Sequence, residues 1–181
     1  MINPEQIITL ANSLGKKPII ACIGSTKIIS DSFGPMVGQL LVDKYQVNAT
    51  VIGTLRSPLH AVNIIDRIQL ATKLSPTSKI LAVDAYESTH NADSIRIING
   101  GIKPGLASGK DLPRIGDVSI ISSTYRYKGN ACCLGRVYSL ADNVAKLINL
   151  ILNLTFVNSS DEYVAKNIAT LSDYRYYNII L

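Results

Sequence analysis

Two aspartates stand where an α/β protein places reacting groups. Pro18 to Ile23 is an apolar stretch that reads as a buried strand ending at Gly24. A mostly polar loop follows with a single carboxylate, Asp31, and Gly34-Pro35 starts a helix, where the missing N–H of proline costs nothing. A second apolar strand, Lys79 to Val83, ends in Asp84. Open α/β sheets bind ligands beyond the carboxyl ends of their strands. Two carboxylates sharing that edge raise one pKa by burial and mutual repulsion. Such a pair can divide its roles, one activating water and one acting as acid. The plainer alternative is that each aspartate caps the helix or turn after it.

His60, in Ser57-Pro58-Leu59-His60-Ala61-Val62-Asn63, falls at a strand-to-helix junction. It could orient a substrate, shuttle a proton or bind a metal; read alone it is a junction residue bonded to backbone. His90 reads as an exposed loop residue. With these two histidines alone, a histidine-based triad has little support. The chain has no GxxxxGK[ST] phosphate loop, no GxGxxG and no GxSxG elbow. No Cys/His spacing suggests zinc, and the odd count of 3 cysteines argues against a disulfide framework. Cys22 is expected to be buried. The adjacent Cys132 and Cys133 are expected to be small packed residues near a helix start, with a redox pair as the alternative. Neither a metal nor a cofactor is expected.

Elements that would position these groups follow from periodicity. Ile7, Ile8, Ala11 and Leu14 recur at helical spacing until Gly15. Met36, Val37, Leu40 and Leu41 give a second helix ending near Tyr45, and His60 to Leu74 a third. The spacing predicts strands over Thr50 to Thr54, Ile95 to Ile98 and Val118 to Ser122, and a longest helix over Leu140 to Leu154. Near-continuous apolar strands alternating with helices imply a largely parallel sheet covered on both faces. The expectation is one three-layer α/β/α domain spanning residues 1–181. Gly100 to Gly116, with Pro104 and Pro113, is a long loop suited to a lid or substrate wall.

Apolar residues make up 47% and charged ones 17%, which fits a globular chain rather than a disordered one. No apolar run reaches the ~20 residues of a membrane span, and the start lacks the cationic and apolar regions of a signal peptide. A cytoplasmic location is therefore expected. The net charge of +5 is spread without a basic run, so nucleic acid is not the expected partner. Tyr174, Arg175, Tyr176 and Tyr177 suit a packed or subunit-contacting tail, which leaves room for a homo-oligomer.

Five motifs in consistent order carry a family resemblance. They are Cys22-Ile23-Gly24 through Asp31-Ser32-Phe33-Gly34-Pro35; Gly53-Thr54 with Pro58-Leu59-His60-Ala61-Val62-Asn63; Val83-Asp84-Ala85; Lys103-Pro104-Gly105; and Leu112-Pro113-Arg114-Ile115-Gly116-Asp117. From about Ile19 to about Ser122 the chain resembles the YyaC family of sporulation proteins. That family is similar in fold to the germination protease of spore-formers and to hydrogenase maturation endopeptidases, so the resemblance implies a phosphorylase/hydrolase-like fold. In the germination protease, two aspartates in such positions carry peptide hydrolysis without metal. In the hydrogenase endopeptidases, two acidic residues and a later histidine bind nickel of the substrate protein. Asp31 and Asp84 match the acidic positions, and no histidine after Asn91 matches the third. Two departures stand out. Tyr86-Glu87-Ser88 replaces a small-residue stretch with cysteine and glycine, and Ser30 replaces the usual glycine.

The resemblance implies a spore-associated endopeptidase acting on a protein or peptide, such as a small spore protein, in the forespore or spore interior. Asp31 and Asp84 would be catalytic. Ser30, Ser32, His60, Asn63, Lys103 and Gly105 would line the substrate site. The competing reading is a non-catalytic sporulation protein for binding or assembly that keeps a protease-like fold.

Overall fold

A computed structural model describes residues 4–88, 94–105, 112–125, 133–154 and 179–180. In chain order the elements are α1 (Pro4–Leu14), β1 (Ile19–Cys22), a 3-10 turn (Ser30–Ser32), α2 (Phe33–Asp43), β2 (Thr50–Ile52) and α3 (Ile64–Leu74). There follow β3 (Ile80–Ser88), β4 (Ile95–Asn99), β5 (Val118–Tyr125), α4 (Leu134–Leu154) and β6 (Ile179–Ile180). The strands form one sheet in the order β2-β1-β3-β5-β4-β6.

Strands β2, β1, β3 and β5 run parallel, while β4 lies antiparallel to β5. Chain length explains the exception. A parallel neighbour needs a crossover of roughly a dozen residues or more, and only residues 89–94 separate β3 from β4.

Side chains alternate between the two faces with the period of two that a strand imposes. Ile20, Cys22, Leu81, Val83, Val118 and Ile120 face one way and pack with apolar residues of α1, α2 and α4. Ala21, Ile23 and Ala82 face the other way, against Leu59, Ile64 and Ile115. The three layers expected from the sequence are therefore present. Burial of β1 on both faces accounts for its unbroken apolar run, all four residues being buried.

Several boundaries move. The 3-10 turn leads straight into α2 at Phe33, so Pro35 falls inside the first turn rather than at its first position. Helix α3 starts at Ile64, not His60, and α4 starts at Leu134, not Leu140. Strand β3 continues through Ser88, so Asp84 lies within a strand and not past its end.

At the amino edge of the sheet, Asp117 Oδ2 accepts the Ile80 N–H at 2.8 Å and Oδ1 accepts Lys79 Nζ at 3.0 Å. The exposed ion pair contributes little, whereas the backbone bond ties β3 to the start of β5. Asp117→Ala should cost about 1 kcal/mol of stability, read as a lower urea midpoint with an unchanged slope.

Candidate active site

The site begins with a reversal of chain direction that only small residues permit. Beyond β1, Ile23 still pairs in parallel with Leu59, and the Gly24 N–H donates to the Leu59 carbonyl at 2.9 Å. Gly24 has φ 144°, and a Cβ there would run into the Asp31 carbonyl. The loop closes at this spot: the Ser25 N–H donates to Asp31 Oδ2 at 2.7 Å and to the Asp31 carbonyl at 3.2 Å. The 3-10 turn that carries Asp31 packs against β3, on which Asp84 lies.

Asp31 is not a helix cap. Residue Ser32 holds the N-cap position of α2 without a side-chain bond, and its buried hydroxyl donates to the Ile29 carbonyl at 2.6 Å. The Ser32 hydroxyl, expected to touch substrate, is thus committed to the turn. Ser30 is partly buried in the same turn.

Asp84 is the perturbed group. Burial pushes its pKa up to about 7, the charge of Asp31 adds to the rise, and an Ala85 N–H bond to Oδ1 at 2.9 Å opposes it. A carboxyl in this position holds its proton close to neutrality while a second carboxylate stands near enough to influence it. That is the division between acid and base that paired-carboxylate chemistry uses.

His60 and Asn63 build the entry to α3. The His60 N–H donates to Asn63 Oδ1 at 2.9 Å, and Asn63 Nδ2 donates to the Pro58 carbonyl at 3.1 Å. Both ends of the Asn63 amide are therefore used in shaping the turn. His60 Nδ1 accepts a long 3.4 Å bond from the Val62 N–H. Among the described residues no three His, Cys, Asp or Glu side chains gather closely enough to hold a metal ion. His60 therefore does not join the aspartates as a third ligand, and the donor set does not fit the two acids and a histidine that the resemblance implies for nickel.

The 100–116 segment leaves the amino edge of the sheet and returns through an antiparallel pairing of Ile102 with Ile115. Lys103 is exposed and Gly105 takes φ 74° just beyond that pairing. The loop tip, His90, Cys132 and the tyrosine-rich tail lie outside the described residues. Cys133 is exposed, contrary to the expectation of packing, because the first turn of α4 beside it is itself exposed, Leu134 to Arg136 all facing solvent and Val137 being the first buried residue. Cys22 is buried as expected, and burial pushes its thiol far up, leaving it inert.

Sequence reading missed a polar row beside Asp84. Tyr86, two residues on, shares its face. Its hydroxyl lies 2.9 Å from Ser94 Oγ, which lies 3.1 Å from Ser123 Oγ. Arg96 stacks on the Tyr86 ring, 5.3 Å from its centroid. The available signal was the hydroxyl run Ser122-Ser123-Thr124 after the apolar Ile120-Ile121 of β5, of which Ser123 pairs with Tyr86.

These features make a three-layer α/β protein with one aspartate in the loop after β1 and a second within β3, a fold shared with known hydrolases. A [NiFe] hydrogenase maturation protease, HycI, from Thermococcus kodakarensis KOD1 aligns with 80% of this chain and 99% of its own, with TM-score 0.54 and 16% identity. A peptidyl-tRNA hydrolase aligns with 86% of this chain and 94% of its own, with TM-score 0.50 and 14% identity. At such identities the likeness is one of fold.

The chain belongs to the family described as "Protein of unknown function (DUF1256)", which matches residues 3–147. It is also 38% identical over 113 residues to the uncharacterized protein YyaC of Bacillus subtilis strain 168. That match spans 62% of this chain and 55% of the Bacillus protein. Among the described residues no helix is long and apolar enough to cross a membrane.

Proposed function

We propose that this protein is an aspartate-dependent endopeptidase that cleaves a protein substrate, with a small spore protein as the candidate the family suggests. The observation that carries the reading is the packing of the turn that bears Asp31 against β3, on which Asp84 lies, where burial and the charge of Asp31 push the Asp84 carboxyl up to about 7. In this reaction Asp31 takes a proton from a water molecule as its oxygen adds to the scissile carbonyl carbon. Asp84 gives its proton to the carbonyl oxygen. Collapse of the tetrahedral adduct breaks the C–N bond: the proton held by Asp31 passes to the leaving amine, and a hydroxyl proton of the adduct returns to Asp84 as the new carboxyl group forms. Atoms and charge balance in these steps, and both carboxyls end in their starting states. The fold held in common with a maturation protease supports the reading. A location in the forespore or spore interior belongs to the same proposal.

Asp31→Asn is the test. Asn Oδ1 can still accept the Ser25 N–H that closes the loop, so thermal unfolding should be little changed. The amide cannot act as a base, so cleavage of candidate small spore proteins should fall by roughly 10²-fold or more. Full activity in this variant would end the mechanism. A wild-type protein inactive on every candidate would favour a non-catalytic binding or assembly role.

A further inference from the structure

Arg96 sits in the same row of the sheet as Asp84. Ile121 on β5 pairs with Asp84 on one side and with Arg96 on the other, so all three side chains leave the same face. At ~4.8 Å per strand, the two backbone positions are roughly 10 Å apart. Helix α3 packs on this face over β1, and among the described residues no helix covers it at β4. Asp84, Tyr86, Arg96 and Ile121 are all only partly covered there.

Among the described residues the arginine is held but not neutralised. Its guanidinium lies against the Tyr86 ring at 5.3 Å, and the Tyr86 hydroxyl is anchored on Ser94, which bonds Ser123. Among the described residues no acidic side chain pairs with it. Among the described residues its buried Nε has no hydrogen-bond partner. A buried N–H of a charged group left unbonded is costly, and a planar fork of donors is matched best by a carboxylate or phosphate accepted edge-on.

We propose that Arg96 is a carboxylate-binding anchor for the peptide, engaging a substrate carboxylate about two or three residues from the bond that Asp31 and Asp84 would cleave. The inference rests on the peptidase reading for what the carboxylate belongs to, a peptide lying across the sheet edge. Extended chain covers ~3.3 Å per residue, which converts the row spacing into that residue offset. The carboxylate comes either from the peptide's C-terminus or from an Asp or Glu side chain. Arg96 also offsets the repulsion such a group would meet from the aspartate pair.

Binding can be read without turnover, which separates this inference from the peptidase. The probes are N-acetyl-pentaalanine as free acid, the same peptide as its amide, and acetyl-Ala-Ala-Glu-Ala-Ala amide, titrated onto the full chain. Calorimetry gives the affinities, and the Arg96 Nε–H resonance reports contact, which a merely structural arginine would not change. The free acid, the glutamate peptide or both should bind roughly 10–100-fold tighter than the neutral amide and shift the Nε–H signal. Preference for the free acid identifies recognition of a chain end, and preference for the glutamate peptide identifies an acidic side chain. Arg96→Gln should erase the preference and Arg96→Lys should retain part of it. Should Arg96→Gln not fold, the wild-type comparison of acid with amide and the Nε–H shift decide alone. Equal affinities for all three probes, or a preference that survives Arg96→Gln, would overturn the proposal. Loss of cleavage with carboxylate binding intact would remove the peptidase and leave the anchor.

Discussion

Asp84→Asn should lower peptide cleavage by roughly 10²–10⁴-fold while making the protein more stable at alkaline pH. The side chain keeps its size, and its Oδ1 can still accept the Ala85 N–H, but it has no proton to give to a developing oxyanion. The stability effect follows from linkage. The unfolded carboxyl titrates near 3.8 and the folded one near 7, so between those values the folded protein keeps a proton that the unfolded chain releases. Stability therefore falls as pH rises from about 4 to about 7 and stays lower above that. Asparagine removes this slope. At pH 8 the variant should exceed wild type by about 2–4 kcal/mol, with little difference near pH 3. Urea denaturation at both pH values checks it. A wild-type stability flat from pH 4 to 8 would show that Asp84 ionises normally and is not the acid. The cleavage rate of wild type should also decline as pH rises through about 7, as the acid loses its proton.

The second large effect is on packing. Gly34→Ala should cost about 3 kcal/mol or more. A Cβ at Gly34 would meet the Ile23 carbonyl, and backbone has little freedom to yield there. Ile23 is held on both sides, its N–H donating to the Val83 carbonyl at 2.7 Å while it pairs with Leu59. Helix α2 would have to move outward and carry the Asp31 turn with it, so activity should fall along with the melting temperature. Gly135→Ala is the control. Its Cβ would find only Cys133 Sγ at 3.9 Å, and in a helix alanine should stabilise by roughly 0.5–1 kcal/mol. Similar unfolding midpoints for the two variants would disprove the close approach of α2 to β1.

Local sequence carried the layers and the two aspartates. β1 is legible because burial on both faces demands an unbroken apolar run, and α2 because Met36, Val37, Leu40 and Leu41 repeat at helical spacing. Gly24 and Asp31 mark a strand-end loop whose composition has no other purpose in a core. The direction of β4 was not legible from periodicity, since alternation reads the same in either direction; the short link from β3 decides it. Ser32 and Asn63 looked free for substrate because hydroxyls and amides are versatile. Their bonds to the Ile29 and Pro58 carbonyls and the His60 N–H exist only once the turns close.

Hydrophobic period and glycine placement are local properties of the chain, and they suffice to read an α/β sheet with one aspartate in the loop after β1 and another on a second apolar strand, though not that β3 runs on past Asp84. Which of the two is perturbed depends on contacts between distant segments. Asp84 is raised chiefly by its burial within β3, with the charge of Asp31 adding to the rise across the contact between the 3-10 turn and β3, and neither fact is written within a few residues of either aspartate. The same holds for Arg96, 12 positions beyond Asp84 in the chain. Pairing both residues with Ile121 brings them to one row, since strand register, unlike periodicity, is a contact between distant segments.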